Sequence, residues 1–176
     1  MGTGIVICGL NGAGKSTLGK ALAEALGFYF IDSEDLYFSK ESPCDTYSFP
    51  RTHEEAKELL LYKVKAHENF VFSVVKGNYG EKITSLYRYA VLIEVPKEIR
   101  MERVKNRSFE TFGDRMLPGG DLYEQEKRFF DMAESRTEES VRKWAQSLGC
   151  PVIRVDGAKE VEENVNAIIR EIGVEK

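Results

Sequence analysis

The sequence predicts an α/β fold: a three-layer sandwich in which a parallel sheet is covered by helices on both faces. Three observations predict it. Short apolar runs alternate with stretches of helical periodicity along the chain, the order of strand–helix–strand units. The runs are apolar at successive positions, as in strands buried on both faces. A glycine-rich segment, Gly9-Leu10-Asn11-Gly12-Ala13-Gly14-Lys15-Ser16-Thr17, joins the first run to the first helical stretch. Right-handed crossovers between such strands would place a ligand at their carboxyl ends.

The elements follow in order. Ile5-Val6-Ile7-Cys8 is the first strand, and Leu18, Ala21, Leu22, Ala25 and Leu26 recur at helical spacing after it. Gly27 reads as the stop of that helix, followed by the strand Phe28 to Ile31 ending at Asp32. From Ser33 to Arg51 the pattern is irregular, with Tyr37, Phe38, Pro43, Tyr47, Phe49 and Pro50 interspersed. Thr52 and Glu55 form a capping-box pair that opens a helix through Ala56, Leu60 and Val64 to about Asn69. Phe70 to Val75 is a third strand, and a loop and a short helical piece from Glu81 lead to the fourth, Tyr89 to Val95. Pro96 suits the start of a helix through Ile99 and Val104. Residues 107–121 show little periodicity and contain Gly113, Gly119 and Gly120, which predicts a mobile insert. Asp121 and Glu124 are expected to cap one long helix carrying Phe129, Ala133, Val141, Trp144, Ala145 and Leu148 on a stripe. Gly149 stops it, Val152 to Val155 is the last strand, and Val161, Val165, Ile168, Ile169 and Ile172 line a closing helix.

The joint after the first strand carries the chemistry. Its G-x-x-x-x-G-K-[ST] pattern is the Walker A arrangement, and at average glycine usage its four fixed positions coincide by chance at under about one start in ten thousand. Glycines allow successive N–H groups to point inward, and the following helix adds unpaired N–H groups and a positive dipole end. Lys15 has the reach for the β- and γ-phosphates of a nucleoside triphosphate, and the Ser16 hydroxyl suits Mg²⁺.

Composition narrows the rest. At 176 residues, 42% apolar and 31% charged, the chain suits one soluble domain over residues 1–176. A net charge of −4 argues against a nucleic-acid partner. No run approaches the roughly 20 apolar residues of a membrane helix, and no signal peptide is read at the N-terminus. Three cysteines, Cys8, Cys44 and Cys150, are too widely spaced for a disulfide framework or zinc site, and they fit a reducing cytoplasm. Cys44, His53 and His67 have no partners at catalytic spacing and read as structural or surface residues.

A GTPase would carry a guanine-reading N-K-x-D, which is absent, and large ATPases end an apolar strand in paired acids where this third strand ends at Lys76. Instead, arginines cluster around the insert: Arg100, Arg103, Arg107, Arg115, Arg128 and Arg136. Phosphoryl transfer is chiefly positioning and charge neutralisation, which arginines serve.

On these residues the chain resembles the small P-loop kinases grouped with nucleoside monophosphate kinases, shikimate kinase and gluconate kinase, over nearly its whole length. The resemblance implies a five-stranded parallel sheet, an acceptor-binding segment over about 33–68 and an arginine-bearing lid over about 107–121. It implies that Arg103 stacks on adenine, that Arg107 approaches the transferred phosphate, and that the backbone of Gly157-Ala158 lies against the adenine of ATP. Asp32 and Glu34 match the D-x-D acids of shikimate and gluconate kinases, while an adenylate-kinase alignment puts Asp35 at the magnesium-side acid. One departure stands out. Nucleotide kinases follow the third strand with Asp, Gly and an acceptor-binding Arg, where this chain has Lys76-Gly77-Asn78, so Lys76 would place its charge near phosphates or an anionic substrate.

The expectation is an ATP- and Mg²⁺-dependent small-molecule kinase, cytoplasmic, monomeric or homodimeric. Asp32 is the favoured base and a metal-side residue with Ser16, and Arg107 with Arg115, Arg128 or Arg136 closes over the transferred phosphate. Two alternatives remain open: a nucleoside monophosphate kinase with Arg51 gripping the acceptor phosphate, and a nucleotide-binding regulatory protein without an acceptor.

Overall fold

The computed structural model describes residues 2–38 and 50–173. Pro43, Cys44, Tyr47 and Phe49, singled out in the sequence, lie outside the described residues. Five strands form one sheet: β1 (Gly4–Cys8), β2 (Tyr29–Asp32), β3 (Phe70–Val74), β4 (Tyr87–Glu94) and β5 (Val152–Asp156). Their order is β2-β3-β1-β4-β5 and every pair is parallel. The chain winds from β1 outward to one side and then returns to the other, so the loop leaving β1 sits where the winding direction reverses. Open sheets bind ligands at that position.

The helices are α1 (Lys15–Leu26), α2 (Ser33–Tyr37), α3 (His53–Ala66), α4 (Glu81–Thr84), α5 (Lys97–Phe112), α6 (Tyr123–Ser135), α7 (Glu138–Ser147) and α8 (Val161–Ile172). The two faces of β1 serve different layers. Ile5 and Ile7 pack with Leu18 and Leu22 of α1 and Val165, Ile168 and Ile172 of α8. Val6 packs on the other face with Phe70, Phe72 and the α3 residues Ala56, Leu60 and Val64, while Cys8 meets Val141 and Ala145 of α7. Both neighbours of each β1 side chain are therefore apolar, which is why the strand reads as a continuous run with no alternation. Full burial of a side chain such as Phe72 or Leu60 contributes about 1.5–3 kcal/mol.

The capping box expected at α3 is present: the Glu55 amide donates to Thr52 Oγ1 and the Thr52 amide donates to Glu55 Oε2. Three other expectations are corrected. The stretch after β2 is not irregular throughout, because Asp32 Oδ1 accepts from the Glu34 amide at 3.0 Å and starts the single-turn helix α2. A five-residue helix is too short to show periodicity.

The insert expected to lack periodic structure over 107–121 is helix and turn for much of its length. Helix α5 continues to Phe112, with Arg100, Met101, Val104 and Ser108 on its buried side. That stripe holds too few apolar residues to register as amphipathic. A 3₁₀ turn over Gly113–Met116 follows, and the Leu122 amide donates back to the Arg115 carbonyl at 3.0 Å.

The single long helix expected from Asp121 is two helices. Arg136 is extended, at φ −70° and ψ 138°, and α7 begins afresh with Glu138 and Glu139 in its first turn. Acids there favour a new N-terminus. The break lets α6 pack on α5 while α7 turns its Val141, Trp144 and Ala145 onto the sheet. Neither Asp121 nor Glu124 caps α6, for Leu122 holds the cap position without a side-chain bond and Asp121 is engaged by Arg115.

Candidate functional site

The loop after β1 is a tight turn built from backbone. Gly12 and Gly14 have φ of 79° and 94°, and a Cβ on Gly12 would lie 2.3 Å from the Arg100 carbonyl oxygen. Only glycine fits there. The Ala13 amide donates to the Leu10 carbonyl at 3.1 Å, and α1 starts at Lys15 with no side-chain cap and no acid in its first turn. Its leading N–H groups thus have no side-chain acceptor, which leaves them for an anion.

Lys15 folds back over this loop, its Nζ donating to the Leu10 carbonyl at 2.9 Å. Burial is the main cause that pushes its pKa down to about 8; Arg107 and Arg136 push the same way, against Asp32 and Cys8. A polyphosphate bound there would hold the proton on this ammonium to higher pH.

The arginines divide into distinct tasks. Arg100, only 2% exposed, donates to the Asn11 carbonyl at 2.9 Å and braces the loop from behind. Arg103 donates to the Gly157 carbonyl at 3.0 Å and so ties α5 to the loop after β5. Arg136, at the α6–α7 break, donates to Asn11 Oδ1 at 2.8 Å. Arg107 lines the central cleft. Arg115 instead forms a two-pronged pair with Asp121 on the surface, at 3.0 and 2.7 Å, and Arg128 is exposed on α6.

That central cleft has a volume of about 550 Å³. It brings together Asn11, Gly12, Lys15, Ser16, Asp32, Glu34, Arg107 and Arg136 from four separate stretches of the chain, with Tyr37, Phe38, Phe112 and Phe129 as aromatic lining. Five residues expected in catalytic or acceptor-binding roles do not line it. Arg115 and Arg128 are outside, as described, and Asp35 is absent from its walls. Arg51 donates to the Asp35 and Leu36 carbonyls at 3.4 and 3.2 Å, so its guanidinium fastens α2. Lys76 faces a separate hollow of about 500 Å³ beside Gly77, Asn78 and Trp144, whose Nε1 donates to the Gly77 carbonyl at 3.1 Å.

Gly9, Leu10, Ala13, Gly14 and Thr17 complete the loop and first turn, with Leu10 and Ala13 buried and Thr17 exposed. Gly157 meets this loop closely, for a Cβ on it would come within 2.8 Å of the Ala13 carbonyl oxygen. Its turn is held by the Ala158 amide donating to Asp156 Oδ1 at 2.8 Å. The 156–158 segment is thereby fixed against the glycine loop, with Arg103 across it.

Sequence reasoning passed over several cleft residues. Tyr37 is one: its hydroxyl lies 2.7 Å from His53 Nδ1, while His53 Nε2 lies 2.8 Å from the Asn78 carbonyl oxygen. A carbonyl only accepts, so His53 carries its proton on Nε2 and Tyr37 donates to Nδ1. His53 is therefore a structural tether that orients a cleft tyrosine, and His67 stacks on Tyr29 with ring centroids 3.7 Å apart. Glu126 is another. It sits at the position on α6 where the stripe through Phe129 and Ala133 calls for an apolar residue, and that mismatch was the available signal.

A glycine loop between the central parallel strand and a helix, with a lysine at its end and arginines beyond, defines a P-loop nucleotide-binding protein. The chain belongs to the AAA domain family, whose model matches residues 5–115. An uncharacterized protein of Bacillus subtilis, YqaC, is 30% identical over 173 residues, covering 94% of each chain. A probable gluconokinase of Dictyostelium discoideum is 25% identical, covering 64% of this chain and 65% of its own. Among solved structures, shikimate kinase from Bacteroides thetaiotaomicron superposes with a TM-score of 0.62 over 99% of this chain and 100% of its own, at 19% identity, a likeness of fold. The chain is thus related to small-molecule P-loop kinases. Among the described residues no helix is long and apolar enough to cross a membrane, and no group of three or more His, Cys, Asp or Glu forms a metal cage.

Proposed function

We propose that the protein is an ATP-dependent phosphotransferase that moves the γ-phosphoryl group of Mg-ATP to a hydroxyl of a small-molecule acceptor. The observation that carries this reading is the convergence of Lys15, Arg107, Arg136 and Asp32 on one cleft that aromatic residues also line. The glycine-loop amides and Lys15 hold the β- and γ-phosphates. Arg107 and Arg136 neutralise charge as it spreads over the transferred group, a role worth roughly 10³–10⁵ in rate where measured elsewhere. Asp32 accepts the proton of the attacking hydroxyl while the bond from the γ-phosphorus to its bridging oxygen breaks and ADP leaves.

The donor set fits magnesium. Ser16 and Asp32 offer one hydroxyl and one carboxylate within the same cleft, and no all-protein cage competes among the described residues. Magnesium is commonly held by one or two protein oxygens together with phosphates and water. When bound, the ion supplies charge neutralisation at the phosphates. Arg103 and the Gly157-Ala158 backbone frame the adenine side, which favours ATP over GTP in the absence of a guanine-reading motif.

The segment after β3, Val75-Lys76-Gly77, carries no acid to activate water, which favours an acceptor over simple hydrolysis. Arg51 is occupied by backbone carbonyls, which counts against a monophosphate acceptor gripped by it. The test is ATP consumption by the whole chain against a panel of sugars, polyols, hydroxy acids, nucleosides and nucleotides. One acceptor should raise consumption far above the rate with ATP alone. GTP outcompeting ATP, or no acceptor doing so, overturns the reading.

A further inference from the structure

Asn11 of the glycine loop is held from two sides. Its backbone carbonyl accepts from Arg100 Nη1 at 2.9 Å, and Arg100 is buried, so α5 fixes the main chain at this point. Its side-chain Oδ1 accepts from Arg136 Nη1 at 2.8 Å. A guanidinium only donates, which assigns the oxygen of the Asn11 amide, not its nitrogen, to this contact.

Arg136 is brought there by the α6–α7 break, where it is extended and exposed. It lines the central cleft and also a second cavity of about 890 Å³ that Leu10, Arg100 and Glu138 share. A long side chain with open space around it has many other rotamers, so a tether decides where its charge sits. Lys15 and Arg107 on the central cleft repel that charge, while Asp32, Glu34 and Glu126 on the same cleft attract it. Yet the hydrogen bond goes to a neutral amide, and among the described residues no salt bridge joins Arg136 to an acid.

The difference matters for an anion. A carboxylate partner holds a guanidinium and cancels its charge, as Asp121 does for Arg115 on the surface. An amide oxygen holds it and leaves the charge whole. One donor on Nη1 serves Asn11, and the remaining N–H groups of the guanidinium are left for phosphate oxygens. Arg136 already acts on Lys15, for its charge is among the causes that push the lysine pKa down. Arg103 and Gly157, on the adenine side, are not on the walls of this cleft, which places Arg136 toward the far end of the phosphate chain.

We infer that Asn11 is a positioning residue: its side-chain amide holds Arg136 against the loop, charge intact, so that the guanidinium meets the γ-phosphate of a bound triphosphate. The inference rests on the nucleotide-binding half of the proposed function and not on transfer to an acceptor.

The experiment is calorimetry on the full chain with Mg²⁺ and either ADP or a non-hydrolysable ATP analogue, in a double-mutant cycle of Asn11→Ala and Arg136→Ala. The quantity read is the ratio of the two affinities. Damage to the loop weakens both nucleotides alike, whereas loss of a γ-phosphate contact lowers the ratio. Arg136→Ala should lower it about tenfold, or about 1.4 kcal/mol, with Lys15 and the loop amides retaining the rest. Asn11→Ala should lower it about three- to tenfold, with a much smaller change for ADP, and should add nothing in the Arg136→Ala background. Asn11→Asp keeps an acceptor for Arg136 but cancels its charge, and should lower the ratio at least as far as Asn11→Ala.

Equal losses for both nucleotides, additive losses in the double variant, or a wild-type ratio in Asn11→Asp overturns the inference. Tighter binding of the ATP analogue by Asn11→Ala does so too, because the contact is then a latch that the nucleotide must break. A coupled loss in the ratio, with no acceptor phosphorylated in the panel above, keeps the inference and overturns the phosphotransferase reading. An acceptor phosphorylated by a protein whose ratio ignores Asn11 does the reverse, and binding of neither nucleotide overturns both.

Discussion

Raising the pH from 7 to 9 should cost the protein most of its ATP affinity, through Lys15 alone. Burial pushes this ammonium down from 10.5 to about 8, assisted by Arg107 and Arg136 and opposed by Asp32 and Cys8. A bound triphosphate supplies the opposite charge that the free site lacks, so the complex keeps the proton throughout this range. The free protein loses it as pH rises through 8. Affinity is therefore full below that value and falls above it. With a pKa of about 8 the charged fraction drops from about nine-tenths at pH 7 to about one-tenth at pH 9, a tenfold loss of affinity or about 1.4 kcal/mol.

Few other groups interfere in this window. The Cys8 thiol is pushed up to about 12 by burial and stays neutral, and the triphosphate has shed its last proton near pH 6–7. Calorimetry with a non-hydrolysable ATP analogue, at fixed Mg²⁺ and ionic strength, gives both affinity and proton uptake. Uptake should approach one proton per site at pH 9. Lys15→Met should bind weakly and show no such slope. A wild-type affinity that is flat from pH 7 to 9, or a variant with the same slope, refutes the reasoning. Stability of the free protein runs the other way. Between 8 and 10.5 the unfolded chain binds the proton that the folded one has lost, so this group makes the free fold more stable as pH rises.

Two further predictions use the same site. Arg107→Ala should lower turnover by about 10³-fold or more while ATP affinity changes only a few-fold, the mark of an interaction made in the transition state; steady-state kinetics beside equilibrium binding decides it, and an equal loss in both places Arg107 in ground-state binding. Gly12→Ala forces a Cβ onto a residue at φ 79° and within 2.3 Å of the Arg100 carbonyl. It should lower stability by about 1–3 kcal/mol in a denaturant melt and abolish ATP binding, and a variant that keeps both shows the loop to be slacker than its geometry.

The arginines explain why a cluster in a sequence is not yet a catalytic set. Six residues of one type lie within 37 positions, yet Arg100 braces the loop, Arg103 bridges to Gly157, Arg115 is spent on Asp121 and Arg128 faces solvent. Helix α5 decides part of this. Arg100 and Arg107 are two turns apart, but the first is buried under the loop and the second opens onto the cleft.

What the sequence by itself determined is what local chemistry dictates. The strand–loop–helix of the phosphate site follows from four near-invariant requirements of backbone and charge within Gly9–Ser16, and the parallel sheet follows from five apolar runs separated by helical periods. The α3 capping box is equally local, since both of its hydrogen bonds span three residues. Tertiary structure alone decided the rest. The α6–α7 break carries no glycine or proline, and arises because two segments of one stripe pack against different partners, α5 and the sheet. Lys76 and Arg51 looked like substrate ligands by position, and were diverted by a neighbouring hollow and by α2 carbonyls that lie 15–16 residues from Arg51. Glu126 was legible only as a carboxylate out of place on an apolar stripe. Whether such a group meets solvent, a cation or an unfilled cleft depends on what α2 and α5 bring opposite it, and no periodicity within α6 encodes that.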